Sequence, residues 1–323
     1  MREVTFTAML RETLEEMMRR DSSFILMGED IGAYGGSFGV TRGLLDQFGP
    51  ERVRDTPISE QALTGCAIGA AVAGLKPIIE FMFMDFMTLG ADQLINLAAK
   101  LHPIYSVPCP LVVRAPYGAG RGYGATHSQS LERLFFGTPG IKIVAPSNAR
   151  DASALLQSAL KDPNPVLFLE HKLLYPLRFQ VPDALPPPLP IGFAKGVNEA
   201  DDITIVAWGG ATRAAMGAAS LLADKNIGAA VIDLCTVSPF DLETLVGSAK
   251  KTGRMLIVEE GPAYGGVGAE IAAAVSNEAF EFLLAPICRI GAPNFPVPAA
   301  RTLERLFAPD AAAIAEKASQ LCR

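Results

Sequence analysis

Short apolar runs alternate with helix-like stretches along almost the whole chain, and this alternation is the strongest constraint on its fold. In the first half, the strand-like runs are Phe24–Gly28, Ile78–Met82, Leu111–Arg114, Ile141–Ala145 and Val166–Leu169. The helix-like stretches are Thr7–Arg20, Gln61–Ala73, Ala91–Leu101 and Ala149–Leu160. Strands separated by helices form mainly parallel sheets that helices cover on both faces. The pattern therefore predicts an α/β fold.

A proline-rich segment divides this alternation into two parts. Five prolines fall between Phe179 and Pro190, and proline continues neither a helix nor a central strand. The alternation then resumes, with strands expected at 203–208, 229–234, 255–259 and 287–290, and helices at 211–224, 241–250, 268–276 and after 309. We therefore expect two α/β domains, residues 1–178 and 193–323, joined by a linker at 179–192. Each domain is expected to be a mainly parallel sheet flanked by helices.

Composition excludes several classes of function. The net charge of -6 and the pI near 5.3 argue against a nucleic-acid partner, although a locally basic site for a small anion remains possible. The longest uncharged apolar run near the candidate site, Ala62–Leu75, is too short and too rich in glycine to span a bilayer. No signal or transit segment is recognised at the start, so we expect a cytoplasmic protein without a membrane anchor.

The five cysteines are scattered and include no C-x-x-C pair. This spacing is typical of a reducing compartment rather than of a disulfide framework. Cys66 lies in an apolar run rich in glycine and alanine, and we expect it to be a small buried residue.

Glu60 is the first candidate catalytic residue. It follows a short extended segment and directly precedes a helix expected from Gln61, and functional groups of open α/β sheets lie at such strand ends. Partial desolvation favours the neutral carboxyl group, which can exchange a proton with a ring nitrogen. On position alone, a solvated glutamate stabilised by the helix dipole is the simpler interpretation.

Two further residues are candidates by their type and context. Phe86 ends the aromatic and methionine-rich stretch Glu80–Phe86, and a flat ring there suits stacking on a heteroaromatic group or simple core packing. His127 follows the glycine-rich loop Gly118–Gly124, which has little intrinsic order. Histidine exchanges protons near neutral pH, but an exposed loop histidine without a role is an equal alternative.

Other common site motifs are absent from the sequence. There is no Walker loop, no zinc-ligand spacing, no G-x-S-x-G elbow and no complete G-x-G-x-x-G between a strand and a helix. The Gly-Asp-Gly motif with a following asparagine, the usual magnesium–diphosphate signature of thiamin enzymes, is also absent.

The order and spacing of its motifs give the chain a family resemblance. It resembles the beta subunit of the thiamin diphosphate-dependent first component of 2-oxo acid dehydrogenase complexes, a transketolase-like group that includes pyruvate, branched-chain 2-oxo acid and acetoin dehydrogenases. The motifs that carry the resemblance are Gly28–Asp30, Asp55–Glu60, Gly65–Leu75, Glu80–Phe86, Asp92–Ala99, His127–Leu131, Pro139–Ser147 and Asp162–Pro165. The resemblance implies a pyrimidine-binding domain followed by a transketolase C-terminal-like domain.

The resemblance also implies roles for individual residues. Glu60 would contact the pyrimidine nitrogen of thiamin diphosphate and promote the imino tautomer, and Phe86 would stack on the pyrimidine. His127 would face the substrate and assist proton transfer or reductive acylation of the lipoyl group. Glu29 would support Glu60 in a buried acid network, and Ile58 would form an apolar wall.

A potassium site is implied as well. Its ligands would come from four positions, namely the backbone at Leu111 and Ala159, together with Asp162 and Asn164. Oxygen ligands of this type suit such a cation. An ordinary surface turn explains the Asp162–Pro165 segment equally well.

Because the diphosphate signature is missing, the resemblance implies that an alpha subunit holds the diphosphate and Mg²⁺. The expected assembly is a heterotetramer of two alpha and two beta chains that passes acyl groups to a lipoyl-bearing acyltransferase. The expected activity is that of an oxidoreductase acting on 2-oxo acids with a disulfide acceptor, or cleaving acetoin. The segments Gly32–Gly43 and Met82–Met87 resemble acetoin and bacterial 2-oxo acid dehydrogenase chains more than typical pyruvate ones, and substrate choice stays open. Alternatives are a paired transketolase-like subunit in a biosynthetic pathway and a structural partner without activity.

Overall fold

The computed structural model describes all residues from Met1 to Arg323. They form two compact units, the first made of residues 1–117 and 135–191 and the second of residues 118–134 and 192–323. These units do not simply follow chain order, because the short segment 118–134 groups with the C-terminal half of the chain. The expected boundaries at 178 and 193 stay a prediction about folding domains.

The first unit contains eight strands and six α-helices. In chain order they are β1 (Arg2–Thr5), α1 (Phe6–Arg20), β2 (Phe24–Gly28), α2 (Leu44–Phe48), β3 (Val53–Asp55), α3 (Glu60–Val72), β4 (Lys76–Glu80), α4 (Met84–Met87), α5 (Ala99–Tyr105), β5 (Val112–Tyr117), β6 (Lys142–Val144), α6 (Ala149–Ala159), β7 (Val166–His171) and β8 (Arg178–Val181). A 3-10 turn (Thr88–Gly90) and a π-helix (Gln93–Ala98) precede α5.

Six of these strands form a parallel sheet in the order β6-β7-β5-β4-β2-β3. Leu26 lies opposite Ile78, which in turn lies opposite Val112, and all three side chains are buried. The central strands are apolar on both faces because helices cover both sides of the sheet. The predicted α/β architecture is therefore confirmed.

The direction in which successive strands are added to the sheet reverses at β2, although the strands themselves stay parallel. It runs from β2 to β3 on one side, then crosses to β4 on the other side of β2. In open α/β sheets the crevice at the carboxyl ends of strands on either side of such a reversal is the usual ligand site. Gly28 allows β2 and β4 to approach closely there, since a Cβ atom at this position would lie 2.6 Å from the Glu80 carbonyl oxygen.

The second unit has its own sheet and core. Its elements are β9 (Lys195–Gly196), β10 (Ile203–Ala207), α7 (Gly210–Ala223), β11 (Ala229–Asp233), β12 (Thr236–Ser238), α8 (Leu242–Thr252), β13 (Met255–Pro262), α9 (Val267–Ala279), β14 (Cys288–Ala292), α10 (Arg301–Glu304) and α11 (Ala311–Leu321). Five strands form a sheet in the order β14-β13-β10-β11-β9, in which only β9 is antiparallel. The 3-10 turns Glu132–Leu134 and Phe280–Phe282 complete the unit.

Several elements differ from the sequence expectation. β8 occupies the start of the expected linker, where it pairs with β1 in an antiparallel ladder that sets Val4 opposite Phe179. The helix expected over Ala91–Leu101 is divided between the π-helix and α5. The short extended segment expected before Glu60 contains β3, whose bounds were not predicted because three residues show no readable periodicity. None of the helices combines enough length and apolar character to cross a membrane.

Candidate active site

Glu29 and Glu60 lie together at the carboxyl edge of the first sheet. Glu29 follows β2, whereas Glu60 is the first residue of α3, and both side chains are about nine-tenths buried. The Ser59 N–H, at the N-cap of α3, donates a hydrogen bond to the Glu29 carboxylate. The Glu29 carboxylate therefore connects the end of β2 to the start of α3.

Burial and the nearby Glu60 carboxylate raise the pKa of Glu29 above its usual value, and Asp30 adds to the repulsion. One oxygen of Glu29, Oε1, is buried and has no hydrogen-bond partner in the chain. Burial and the neighbouring carboxylates both disfavour the ionised form of Glu29, so its side chain is a candidate for proton exchange.

Aromatic rings line the neighbouring strand end. The half-buried Phe86 ring meets the Phe83 ring edge-on at 5.9 Å between centroids, and Phe83 meets Phe38 edge-on at 6.0 Å. Phe38 in turn stacks on Tyr175 at 4.6 Å. Because each ring fixes the next, Phe86 has a defined orientation at the carboxyl end of β4. Ile58 contributes an apolar side chain that is 79% exposed.

A buried ion network lies beneath these rings. Arg114 on β5 pairs with Glu80 on β4 and makes two hydrogen bonds, at 2.7 and 2.8 Å, to Glu170 on β7. The Tyr175 hydroxyl donates to Glu170 at 2.7 Å, and burial together with this carboxylate raises the pKa of Tyr175 well above its usual value. The network ties three adjacent strands to the stacked rings. No sequence motif indicated this network, because its members are far apart in the chain.

The four residues of the expected potassium site also lie in the first unit. The Leu111 carbonyl accepts the Val166 N–H at 2.9 Å, and the Ala159 carbonyl accepts the Asp162 N–H at 3.2 Å. Each carbonyl keeps one lone pair for a cation. The Asp162 carboxylate already pairs with the Lys142 ammonium group and accepts the Asn164 N–H at 3.0 Å. Asp162 therefore already has a cationic and an amide partner within the chain.

His127 belongs to the second compact unit. Its side chain is half-buried, and its Nδ1 lies 2.9 Å from the Thr126 hydroxyl. The preceding loop was expected to have little order, and the structure corrects this expectation, because Gly118–Gly124 is held by carboxylates of its own unit. The Ala119 N–H donates to Glu260 at 2.7 Å, and the Gly120 N–H donates to Glu304 at 2.7 Å.

The second unit also contains an acidic cluster that no sequence motif indicated. Glu132, Glu259 and Glu260 are all at least nine-tenths buried, and the Trp208 indole donates to Glu132 at 3.3 Å. Burial raises the pKa of Glu132 and raises that of Glu259 to about 7, and the charge of Glu132 adds to the second effect. Arg289 is the nearest cation to Glu259, at 3.9 Å.

A cavity of about 390 Å³ lies in the same unit. The residues after His127, from Ser128 to Leu131, form one wall, and Glu260 and Phe295 belong to another. This volume is sufficient for a small ligand, and its lining is mostly apolar with a few polar groups, as is usual for ligand pockets.

The residues of the first unit fit the pyrimidine of thiamin diphosphate. The unpartnered Glu29 oxygen, the paired acid Glu60 and the half-buried Phe86 ring provide a proton-exchanging group and an aromatic surface at one strand edge. Cys66, in contrast, was expected to be buried, and this was wrong, because the structure places it on the exposed face of α3. Its small apolar neighbours gave the same pattern as a buried helix.

Family models match both halves of the chain, and curated relatives match nearly its full length. The chain matches the transketolase pyrimidine binding domain over residues 2–178 and the transketolase C-terminal domain over residues 192–314. It is 42% identical, over 99% of its length and 98% of the relative's, to the pyruvate dehydrogenase E1 component subunit beta of Rickettsia felis. A mitochondrial subunit beta-1 of Arabidopsis thaliana is also 42% identical, with 99% of this chain and 90% of that protein covered.

Solved structures show the same fold. A split-gene transketolase, described as an inactive beta4 tetramer, superposes with a TM-score of 0.78 at 23% identity and covers 97% of this chain and 96% of its own. A transketolase mutant from Pichia stipitis superposes with a TM-score of 0.72 at 18% identity, over 99% of this chain and 46% of that one. The pyrimidine-binding domain and the near full-length similarity imply thiamin diphosphate as the cofactor. The chain therefore belongs to the family of the beta subunits of the pyruvate dehydrogenase E1 component.

Proposed function

We propose that this chain is the beta subunit of a heterotetrameric 2-oxo acid dehydrogenase first component. It supplies the pyrimidine side of a thiamin diphosphate site and passes an acyl group to a lipoyl domain. The observation that carries the proposal is the buried carboxyl pair, Glu29 and Glu60, at the chain reversal of a parallel sheet.

The proposed chemistry divides between cofactor and protein. Thiamin diphosphate supplies the carbon nucleophile and the electron sink for decarboxylation. Glu60 exchanges a proton with the pyrimidine nitrogen, and Glu29 keeps that proton close because its own pKa is raised. Phe86 offers its ring face to the pyrimidine, and Ile58 excludes water from one side. His127 serves the acyl-transfer step through its imidazole.

A partner chain is needed for the other half of the cofactor. The magnesium–diphosphate signature is absent from this sequence, and we propose that an alpha subunit carries it. The outer surface of α3 supports an interface, because the segment Gln61–Leu75 has no charged residue and Val72 is 52% exposed. Ile58, just before α3, and Ile104 and Tyr105, on α5, are each more than 60% exposed. A second beta chain and a lipoyl acyltransferase complete the proposed assembly.

We propose pyruvate as the substrate, in place of the acetoin that the motif comparison also allowed. The support is the identity of 42% to proteins named as pyruvate dehydrogenase beta subunits from bacteria and plants. Comparing kcat/KM for pyruvate, branched-chain 2-oxo acids and acetoin in the reconstituted enzyme tests this choice. A higher kcat/KM for either competitor would contradict it. The cytoplasmic location expected from the sequence stays a prediction.

The variant Glu60→Gln tests the central proposal. We expect the decarboxylation rate of the enzyme assembled with its alpha chain to fall by about a hundredfold or more, because general acid–base help is typically worth a hundred- to ten-thousandfold. Native mass spectrometry should show unchanged assembly. Glu51→Gln is the matched control, because this carboxylate is 87% exposed in the same unit. A decarboxylation rate equal to that of wild type would refute the role of Glu60.

The variant His127→Ala tests the acyl-transfer role. We expect reductive acylation of a lipoyl domain to fall much more than binding of thiamin diphosphate, which titration calorimetry measures. His102→Ala is the control, because His102 is exposed on α5. Equal losses in acylation and cofactor binding would contradict the assignment.

We propose that a potassium ion is held by the carbonyl oxygens at Leu111 and Ala159 together with Asp162 and Asn164. Potassium would then tie the end of α6 to the start of β5. The thermal unfolding midpoint should be higher in potassium chloride than in equal lithium chloride. Identical midpoints in the two salts would count against the site.

A further inference from the structure

The glycine-rich loop Gly118–Gly124 is fastened by two acids that lie far away in the sequence. Glu304 on α10 accepts the Gly120 N–H through Oε1 at 2.7 Å and the Gly122 N–H through Oε2 at 2.6 Å. Glu260 at the end of β13 accepts the Ala119 N–H at 2.7 Å. Three amides within four residues therefore point to carboxylate oxygens, all of them within the second unit.

The backbone of the loop explains why this arrangement needs glycine. Gly118, Gly120, Gly122 and Gly124 have φ values of +95°, +102°, +76° and +76°. Alternating backbone conformations of this kind turn successive N–H groups inward and form an anion-binding concavity. At Gly122, a Cβ atom would also lie 3.2 Å from Cγ of Arg301. The loop thus binds the carboxylate of its own chain as it would an external anion.

Glu304 has no other interaction that would account for its burial. It is 3% exposed, forms no ion pair, and each of its two oxygens accepts one of the loop amides. The helix α10 is four residues long, so its stability does not explain a buried charge there. Amide bonds to an ionised carboxylate are stronger than neutral ones, and they offset the cost of burying the charge.

The loop connects directly to the candidate catalytic histidine. The His127 N–H donates to the Gly124 carbonyl at 3.3 Å, and the Gly118 N–H donates to the Gln129 carbonyl at 3.5 Å. Both ends of the loop are therefore tied to the turn that carries His127. A displacement of the loop would be passed to the imidazole through these short connections.

We propose that Glu304 is a positioning residue for His127, acting by holding the loop Gly118–Gly124 in one conformation. This inference rests on the role proposed above for His127. Glu304 does not contact the reacting groups. Its two carboxylate oxygens set the path of the loop, and the loop sets the place of the imidazole during acyl transfer.

The test uses the variant Glu304→Gln in the enzyme assembled with its alpha chain. The glutamine oxygen accepts only one of the two amides, and its NH2 group faces the other N–H. We expect amide hydrogen exchange in the peptide spanning 118–124 to become about tenfold faster or more, because a charge-assisted hydrogen bond is lost. We expect kcat for lipoyl acylation to fall about tenfold, with KM for the 2-oxo acid and decarboxylation to an artificial electron acceptor unchanged.

A second variant changes the loop in place of the carboxylate, and it tests the proposal if Glu304→Gln does not fold. Gly122→Ala places a methyl group against Arg301 at a φ of +76°, and it should give the same exchange and kcat changes. Gly137→Ala is the matched control, since its φ is +78° and no atom lies within 4 Å. Glu316→Gln, exposed on α11, controls for loss of a carboxylate.

The outcomes separate this inference from the proposed function. Faster exchange with a selective loss of acylation supports the inference. Unchanged amide exchange in Glu304→Gln overturns the inference. Faster exchange in Glu304→Gln with a normal acylation rate also overturns it, provided that His127→Ala itself lowers the acylation rate. A loss of decarboxylation equal to the loss of acylation also overturns it, since a general structural defect would then explain both. Normal acylation in His127→Ala would refute the proposed role of His127 and the positioning role with it.

Discussion

The stability of the second unit should depend on pH through Glu259, and this dependence can be worked out from its surroundings. The carboxyl group is 2% exposed, and its pKa is raised from 4.5 to about 7. Burial is the main cause, and the neighbouring Glu132 adds repulsion. The N–H groups of Val267 and Gly268, at the start of α9, oppose the increase by donating to the carboxylate, as does Arg289 by its charge.

The sign follows from the direction of this change. The folded state holds the proton of Glu259 more tightly than the unfolded state does, so its contribution to stability is fully present below pH 4.5. That contribution is lost as the pH rises through about 7. Between pH 5 and pH 8, the loss in the free energy of unfolding should be about 2.5 kcal/mol, from a 4.5-to-7 increase and the linkage relation.

The variant Glu259→Gln removes this ionisation while keeping an oxygen for the α9 amides. We expect it to gain about 2.5 kcal/mol relative to wild type between pH 5 and pH 8, with little further change at higher pH. Urea unfolding at several pH values measures the difference. Trp208 is the single tryptophan and lies buried in this unit, so its fluorescence reports the transition.

Glu316→Gln on the exposed face of α11 is the control, and it should follow wild type at every pH. A difference between Glu259→Gln and wild type that is the same at pH 5 and pH 8 would refute the reasoning. So would a difference of the opposite sign, because it would mean that the ionised carboxylate stabilises the fold through Arg289 and the α9 amides.

Three further predictions concern stability. Arg114→Met leaves the buried carboxylates of Glu80 and Glu170 without their cation and should cost about 3–5 kcal/mol in urea unfolding, with a smaller cost at acidic pH; a neutral effect would contradict the importance of the network. Phe168→Ala in the fully buried centre of β7 should cost about 3–5 kcal/mol, and an effect below about 1 kcal/mol would show that this core is not packed as described. Asp310→Ala removes the N-cap bond of α11, measured at 2.8 Å, and should cost about 1 kcal/mol; thermal unfolding checks it, with no change refuting the cap.

Much of the architecture was predictable because it depends on local periodicity. The strands β2, β7 and β10 are continuous apolar runs, and such runs between helices determine a sheet with two covered faces. Short or edge elements were not predictable in this way. The strand β8 pairs with β1, which lies at the opposite end of the first unit's sequence, and Phe179 there faces Val4.

The candidate site also contains features that the sequence predicted and features that it did not. Glu60 and Phe86 were recognisable because each lies in a short motif with a readable context, and the structure places Glu60 beside Glu29. The exposure of Cys66 was not recognisable, because an uncharged helix face gives the same pattern whether its own core or another chain covers it. The proposed roles of Glu60 and His127 are tested by the variants described above.

By itself the sequence determined the alternation of strands and helices, the uncharged face of α3 and the order of the motifs, since these follow from neighbouring residues. The tertiary structure alone decided which distant groups meet. Gly120 meets Glu304 across 184 positions, and Ala119 meets Glu260 across 141. The same holds for Arg114 and Glu170, which are 56 positions apart. The physical reason is that hydrogen bonds and charge repulsion act over a few ångströms, and only the folded chain brings such residues within that range.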